Sequence, residues 1–516
     1  MSQLLIVLGT AFFAGLILTP ALRWLSAVVG LVDHPDPNRK LHRKSTPIGG
    51  GLAVFSAAVL GIVITFGLQD WLQISIRAGR REALGLFGAA SLLSLVGVLD
   101  DLYCLRGRQK VLGQLAAITV LLASSYTSFC IENVSLFGMS FSLGIAAIPL
   151  TYLWYLAAIN ALNLLDGADG MASTIGLILS VTVSAIALQG GNITVAVIAA
   201  SLAGAQLAFL VFNLPPATIF LGDNGSMVIG LILGAVTVKA SLKGQTLMFA
   251  SAPFAVMAIP FLDSGMAILR RKLTGRSIYT TDRGHLHHTL LKSGLSHRRM
   301  LALVALLCFI TSSSALLAHR FQSDLITLGA VFVVVAALVW SRLFGYGECM
   351  LLVNRLRSFS GSLTKVIGRV QENVVEQSVH LQGSRDWQTI WCAVTEFAQV
   401  HHLGKVQLDL NMAWLHEGFH ATWKRRDVSA DAQLWHTTLP IIAGDRAVGR
   451  IEISAPFCRE STYQVLAMTA ELLESLEPSI TRLITTEVPV VSPPKTPAFI
   501  PTTDTMLVDS GYSVVK

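Results

Sequence analysis

Apolar residues in this chain fall in long unbroken runs rather than in strict alternation. The first extends from Leu4 to Leu22, and similar stretches recur through the first two thirds of the sequence. Each is about 17–23 residues long, enough to cross a bilayer core of about 30 Å as a helix. The runs predict eleven spans, at 3–24, 48–68, 83–101, 111–129, 144–162, 171–189, 192–212, 225–241, 246–268, 299–317 and 323–343. Only Gly190–Asn192 separates the sixth from the seventh, which predicts a tight helical hairpin. Between the fourth and fifth, Ile131–Leu143 alternates apolar and polar residues around Gly138, the pattern of a short β-hairpin at the outer surface. A membrane β-barrel is excluded, because its strands alternate and these runs do not.

Beyond Gly345 the pattern changes. Leu351–Gln382 has apolar residues at helical spacing and predicts an amphipathic connecting helix, within a linker at 346–384. Residues 385–485 predict a small soluble α+β domain. It has a helix through Trp387–His401, strands at Val406–Leu410, His420–Lys424, Leu434–Ile442 and Val448–Ile453, and a second helix at Tyr463–Leu483. The tail 486–516 carries Pro489, Pro493, Pro494, Pro497 and Pro501 and predicts disorder. The expected fold class is therefore an all-α polytopic membrane protein of about 11 transmembrane helices, with a small C-terminal α+β domain.

Charge fixes the expected orientation. Loops after odd-numbered spans carry Arg39, Lys40, Arg43 and Lys44, then Arg106, Arg108 and Lys110, then a long basic series from Arg270 to Arg299. Loops after even-numbered spans carry only Arg77, Arg80, Arg81, Lys239, Lys243 and Arg320. Basic loops stay inside, so the odd loops and the C-terminal domain are expected in the cytoplasm and the N-terminus outside. The cluster Arg77, Arg80, Arg81 runs against this, and the sequence offers no account of it. No basic segment precedes the first run, while Arg23 follows it, so a retained span is expected rather than a cleaved signal.

Composition agrees: 53% of residues are hydrophobic and only 13% charged, against about 25% charged in a soluble domain. The net charge of +7 belongs to loops that meet anionic headgroups, so no nucleic-acid partner is expected. The six cysteines are scattered and form no CxxC pair, which argues against a disulfide framework or a thiolate metal site.

The carboxylates carry the chemistry. Asp100 and Asp101 end the third span, Asp166 and Asp169 follow the fifth, Asp223 follows the seventh, and His285, His287 and His288 follow the ninth. All fall on the odd-loop face. Singly, each has a bland reading: a helix cap, a turn, or a solvated loop. Together they do not, because each Asp at membrane depth costs about 2.5–3.5 kcal/mol and several also repel one another. A divalent cation neutralises them at least cost, and Mg²⁺ (with Mn²⁺ as substitute) prefers carboxylate and phosphate oxygens. Asn163-Leu-Leu-Asp166-Gly167-Ala-Asp169-Gly170 and Gly222-Asp223-Asn224-Gly225-Ser226 are glycine-rich turns through which backbone N–H groups can approach a phosphate. The combination suggests a metal-bridged pyrophosphate.

These residues resemble the polyprenyl-phosphate N-acetylhexosamine-1-phosphate transferases, or glycosyltransferase family 4. The likeness covers roughly residues 1–345 and rests on five ordered motifs. They are Asp33-His-Pro-Asp36 through His42 with Pro47-Ile-Gly49-Gly50-Gly51, Leu99-Asp100-Asp101 with Lys110 and Gln114, and Asn163 through Gly170. Asn213-Leu-Pro-Pro-Ala with Phe220-Leu-Gly-Asp223-Asn-Gly-Ser, and Asp282-Arg283-Gly-His285-Leu-His287-His288, complete the set. The last is more like the WecA and TagO type, which uses UDP-GlcNAc, than MraY, which uses UDP-MurNAc-pentapeptide.

The resemblance implies transfer of GlcNAc-1-phosphate from the UDP-sugar to undecaprenyl phosphate, with release of UMP, on the cytoplasmic face of the inner membrane. That step initiates a cell-envelope polysaccharide such as lipopolysaccharide O-antigen or teichoic acid. It implies Asp223 and Asp166 as Mg²⁺ ligands, and Asp100, Asp101, Asp223 and His287 as catalytic residues, with Asp100 orienting or deprotonating the lipid phosphate. Lys110, Asn163, Asp166, Asp169, Asn213, Arg283, His285 and His288 would bind substrate. Phospho-MurNAc-pentapeptide transfer is the alternative within the class, and a transporter or membrane-anchored sensor the alternative outside it. Pairing into a homodimer is left open. The C-terminal domain lies outside the resemblance and is faintly GAF-like.

Overall fold

In a lipid interior every backbone N–H and C=O must find its partner within the segment, which helices achieve and open strands do not. The apolar runs fold accordingly. The structure is a computed structural model and describes residues 2–33, 45–67, 80–137, 139–241, 251–276, 284–363, 374–383, 385–415, 417–425, 434–456 and 462–485. Its helices are α1 (Ser2–Val29), α2 (Gly50–Gly67), α3 (Arg80–Tyr103), α4 (Gly107–Ser124) and the single turn α5 (Tyr126–Phe129). There follow α6 (Ala147–Leu165), α7 (Met171–Gln189), α8 (Ile193–Asn213), α9 (Gly222–Ser241), α10 (Ser251–Val256), α11 (Ala258–Leu273), α12 (Leu286–Lys292), α13 (His297–Phe321), α14 (Asp324–Trp340) and α15 (Tyr346–Leu363). Among the described residues, six helices are long and apolar enough to cross a membrane: Gln3–Val29, Arg81–Tyr103, Gly144–Leu165, Met171–Gln189, Ile193–Asn213 and His297–Phe321. Helix lies at each of the other predicted spans as well, but the ninth is broken between α10 and α11. Pro260 explains the break, since its ring would meet the carbonyl four residues earlier in a continuous helix.

Helix α8 is the axis of the bundle, with 83% of its apolar window buried. It packs on α1, α2 and α7 through small residues, because lipid supplies no hydrophobic drive and close backbone approach must do the work. A Cβ at Gly15 would stand 2.7 Å from that of Ala208. The tight α7–α8 hairpin and the hairpin β3 (Asn133–Leu136) with β4 (Met139–Ser142) form as expected.

Two short strands, β1 (Val32–Asp33) and β2 (Thr46–Pro47), pair antiparallel beside α1. The C-terminal part is one five-stranded antiparallel sheet in the order β5-β7-β6-β9-β8. Its strands are β5 (Val374–Gln382), β6 (Lys405–Met412), β7 (Glu417–Arg425), β8 (Leu434–Ala443) and β9 (Arg446–Pro456). Helices α16 (Gln388–Val400) and α17 (Thr462–Thr485) contribute to a core around Trp387, Trp391, Trp423, Phe419 and Ile451.

One expectation fails here. Leu351–Gln382 is not a single helix: α15 ends at Leu363, and Val374–Gln382 is an edge strand paired with β7. The sheet domain therefore begins before residue 385. Ladder hydrogen bonds from β7 outweigh a local pattern that fits helix and strand alike. The tail 486–516, for which disorder is expected, lies outside the described residues.

Candidate active site

The ends of the helices gather the polar motifs into one cleft of about 1190 Å³ at one end of the bundle. Asp100 and Asp101 come from the last turn of α3, and Lys110 from the first turn of α4. Asp166 and Asp169 lie in the α6–α7 turn, Asn213 ends α8, and Asp223 opens α9. All of these line the cleft, together with His288 from α12.

Local geometry explains the residue types. Asp101 sits where the free N–H groups of α9 emerge and accepts from Asp223 N at 3.0 Å and Asn224 N at 3.3 Å. It is an N-cap supplied by another helix, satisfying donors that α9 cannot satisfy itself. Gly222 makes the approach feasible. Its φ of +77° favours glycine, and a Cβ there would come within 2.8 Å of the Asp101 carboxylate. Asp223 is then fixed from two sides, with Asn163 Nδ2 donating to Oδ1 at 2.8 Å and Lys110 Nζ donating to Oδ2 at 2.7 Å. The same ammonium pairs with Asp100, whose other oxygen accepts from Leu105 N at 2.9 Å. Lys110 thus bridges two carboxylates that would otherwise repel.

The neighbouring turn is held more loosely. Asp169 accepts from Ala217 N at 2.9 Å, tying the α6–α7 turn to the α8–α9 loop. Asn213 is buried and donates to Ile219 O at 2.9 Å, so its amide spans that loop from within. Asp166 is pushed well above the ordinary carboxylate range, first by burial and then by the negative charges of Asp223, Asp101 and Asp169.

The histidines divide. His288 faces the cleft, whereas His285 and His287 do not line it. Asp263, buried within α11, accepts from the Leu286 amide at 2.6 Å through Oδ1 and pairs with His285 Nδ1 at 2.8 Å through Oδ2. His287 is 1% exposed, and neither ring nitrogen has a partner among the described residues. Burial first, then the neighbouring His288 and His285, holds it well below the usual imidazole range. It packs against the α6–α7 turn, where a Cβ on Gly167 would fall 2.6 Å from its Nε2. The resemblance implies a catalytic role for His287, but its ring is buried and does not line the cleft. Arg283, with Asp282 and residues 34–44, lies outside the described residues.

Sequence reasoning missed Asp263, an isolated acid inside an apolar run. It also passed over Cys104, Ser296, His297 and Arg298, which line the cleft from the α3–α4 turn and the start of α13. Cleft-lining positions of this kind carry no motif spacing of their own.

The donor set suits magnesium. Asp166 and Asp223 both line one cleft, although the Asp223 oxygens are also engaged by Asn163 and Lys110. Among the described residues no three metal-binding side chains form a closed cage. Magnesium does not require one, since one or two carboxylates with waters and substrate phosphates complete its shell.

The model of "Glycosyl transferase family 4" matches residues 83–241. The Bacillus subtilis (strain 168) protein named "Probable undecaprenyl-phosphate N-acetylglucosaminyl 1-phosphate transferase" is 32% identical over 316 residues, 61% of this chain and 85% of that protein. The decaprenyl-phosphate N-acetylglucosaminephosphotransferase of Mycolicibacterium smegmatis is 35% identical over 305 residues, covering 55% of this chain and 74% of its own length. The phospho-N-acetylmuramoyl-pentapeptide-transferase of Clostridium beijerinckii is similar at 29% identity over 288 residues, 52% of this chain and 83% of that protein.

Proposed function

The chain belongs to glycosyl transferase family 4, and from that premise we propose that it transfers N-acetylglucosamine 1-phosphate from UDP-N-acetylglucosamine to undecaprenyl phosphate, releasing UMP. The observation that carries the reading is the convergence of Asp100, Asp101, Asp166, Asp169 and Asp223, from three separate interhelical regions, on one cleft. Transport is disfavoured by the same observation, since an ion path would place such groups near mid-membrane. The relatives whose names specify N-acetylglucosamine are more similar than those specifying the muramoyl pentapeptide. The product would initiate a cell-envelope polysaccharide. The enzyme would be multi-pass in the inner membrane, with eleven spans, an external N-terminus, and both cleft and C-terminal domain in the cytoplasm.

The lipid phosphate attacks the β-phosphorus of the UDP-sugar and UMP leaves. A phosphate monoester has its second pKa near 6, so the acceptor is largely dianionic at neutral pH and needs no strong base. The harder task is to bring two anions together, which is electrostatic and positional work. Magnesium held by Asp223 with Asp166 would act as Lewis acid and template for the pyrophosphate. Lys110, already shared between Asp100 and Asp223, would meet the incoming phosphate charge. Asp100 would orient the acceptor from the α3 side. Asp101, with both oxygens given to amides of α9, positions Asp223. Asn163 aligns the other Asp223 oxygen, and Asp169 and Asn213 set the two loops that would border the nucleotide.

The deciding experiment offers the purified full chain UDP-N-acetylglucosamine, undecaprenyl phosphate and Mg²⁺. UMP and a lipid-linked diphosphate sugar are expected. Preferential turnover of UDP-MurNAc-pentapeptide in direct competition would replace the proposed substrate.

A further inference from the structure

The C-terminal sheet has two unlike faces. Val406, Leu408 and Leu410 of β6 enter the core with α16 and α17, while Lys405, Gln407 and Asp409 alternate onto the opposite face. Across that face Asp409 stands opposite His420 on β7 and Arg450 on β9. The buried Asp409 carboxylate has two basic neighbours in its own sheet, Arg450 Nε at 3.7 Å and His420 Nδ1 at 3.4 Å, and the membrane part adds a third that binds it more closely.

Arg276, just beyond α11, grips Asp409 in a fork: Nε donates to Oδ2 at 2.9 Å and Nη2 to Oδ1 at 2.7 Å. Nη2 also donates to Leu410 O at 3.0 Å. Both side chains are less than a tenth exposed. Arg450 completes the contact, its Nη2 donating to Gly275 O at 2.8 Å and Thr274 O at 3.2 Å. A guanidinium at a helix C-terminus meets carbonyls the helix leaves free and opposes its dipole.

A second buried contact holds the same helix. Arg270 of α11 pairs with Glu348, in the first turn of α15, and donates through Nη2 to Gly284 O at 2.9 Å. Gly284 immediately precedes His285, which Asp263, also on α11, orients. The start of α15 lies in turn against β5, with Gly347 beside the His380 carbonyl. Helix α11 therefore carries Asp263 and Arg270, the sheet domain grips the Thr274 and Gly275 carbonyls just past its end, and α15, which lies against β5, holds Arg270.

From this geometry we infer that the C-terminal domain is a positioning module for the histidine side of the cleft. Asp409 and Arg450 fix the end of α11, Glu348 fixes Arg270, and together they set where α11 presents His285 and the α12 turn that bears His288. None of these three residues reaches the cleft, so each acts through another group. The inference rests on the transfer reading only for its kinetic consequence. Bidentate geometry and burial make the contact specific rather than a screened surface pair.

The test compares the full chain with Asp409→Asn, Asp409→Glu and Arg276→Gln by two measurements. Amide hydrogen exchange across Leu286–Lys292 is expected to quicken roughly tenfold in the Asn and Gln variants, and less in the Glu variant. The KM for the UDP-sugar is expected to rise roughly tenfold while that for the lipid phosphate stays unchanged. Unchanged exchange and an unchanged KM in a folded variant would overturn the inference. Should Asp409→Asn fail to fold, Arg276→Gln leaves the sheet's own residues intact and decides the matter. Should the parent release no UMP, the transfer reading fails, while the exchange comparison still decides whether the domain holds α12.

Discussion

Asp223 meets the first turn of a helix, an amide and an ammonium at once, and each favours its ionised form. Asp223→Asn keeps the shape and removes the charge. Its kcat is expected to fall at least about a hundredfold, because an electrostatic contact to the reacting phosphates is lost. Near-normal UMP release in a purified, metal-controlled assay would contradict the assignment. Asp263→Asn tests a residue that touches no substrate. The amide can still receive a hydrogen bond but supplies no charge beside His285, and kcat/KM is expected to fall about tenfold through misorientation alone. A wild-type value would reduce Asp263 to a helix-packing residue. Asp223 was legible in the sequence because it stands in a glycine-rich turn with polar neighbours. Asp263 was not, because its partners lie 22 and 23 residues away and nothing local marks them. A lone acid inside an apolar helix is the signal that could have found it.

Helix α9 depends on a cap from outside itself. Asp101→Ala strips two amides of their acceptor and is expected to cost about 1 kcal/mol of stability, seen as a lower melting temperature in detergent. The α6–α7 turn depends instead on empty space. Gly167→Ala puts a methyl into the ring of His287, and the overpacking is expected to cost about 1–3 kcal/mol. An unchanged melting temperature for either variant would show that the element relaxes freely. At this scale the sequence was read well where one pattern dominated. The apolar runs gave helices, and four of the sheet strands lay where alternation put them. It was read wrongly at Val374–Gln382, where periods of two and of 3.6 both fit and pairing with β7 decided the matter.

Across the whole molecule, the membrane part and the sheet domain meet through Asp409. Burial alone would raise its pKa, but hydrogen bonds from His420 and Arg276 reverse the effect and hold it below the ordinary carboxylate range. A carboxylate depressed in the docked state stabilises docking fully above its free pKa of about 4, and that stabilisation fades as pH falls through the lowered value. The protection of the Thr274–Arg276 amides, meaning exchange corrected for its intrinsic pH dependence, is therefore expected to stay constant from about pH 6 to 9 as regards this group and to fall only in acid. A loosening near neutrality would point to a different contact. By itself the sequence determined the membrane class, the helix positions, the two-part organisation and the acidic residues of the cleft, because hydropathy and turn chemistry act over short stretches of chain. Only the tertiary structure decided that Asp101 caps a helix 122 residues away, that His287 is buried outside the cleft lining, and that Asp409 grips Arg276. Those outcomes depend on which distant side chains share a dry space, and no local spacing encodes that.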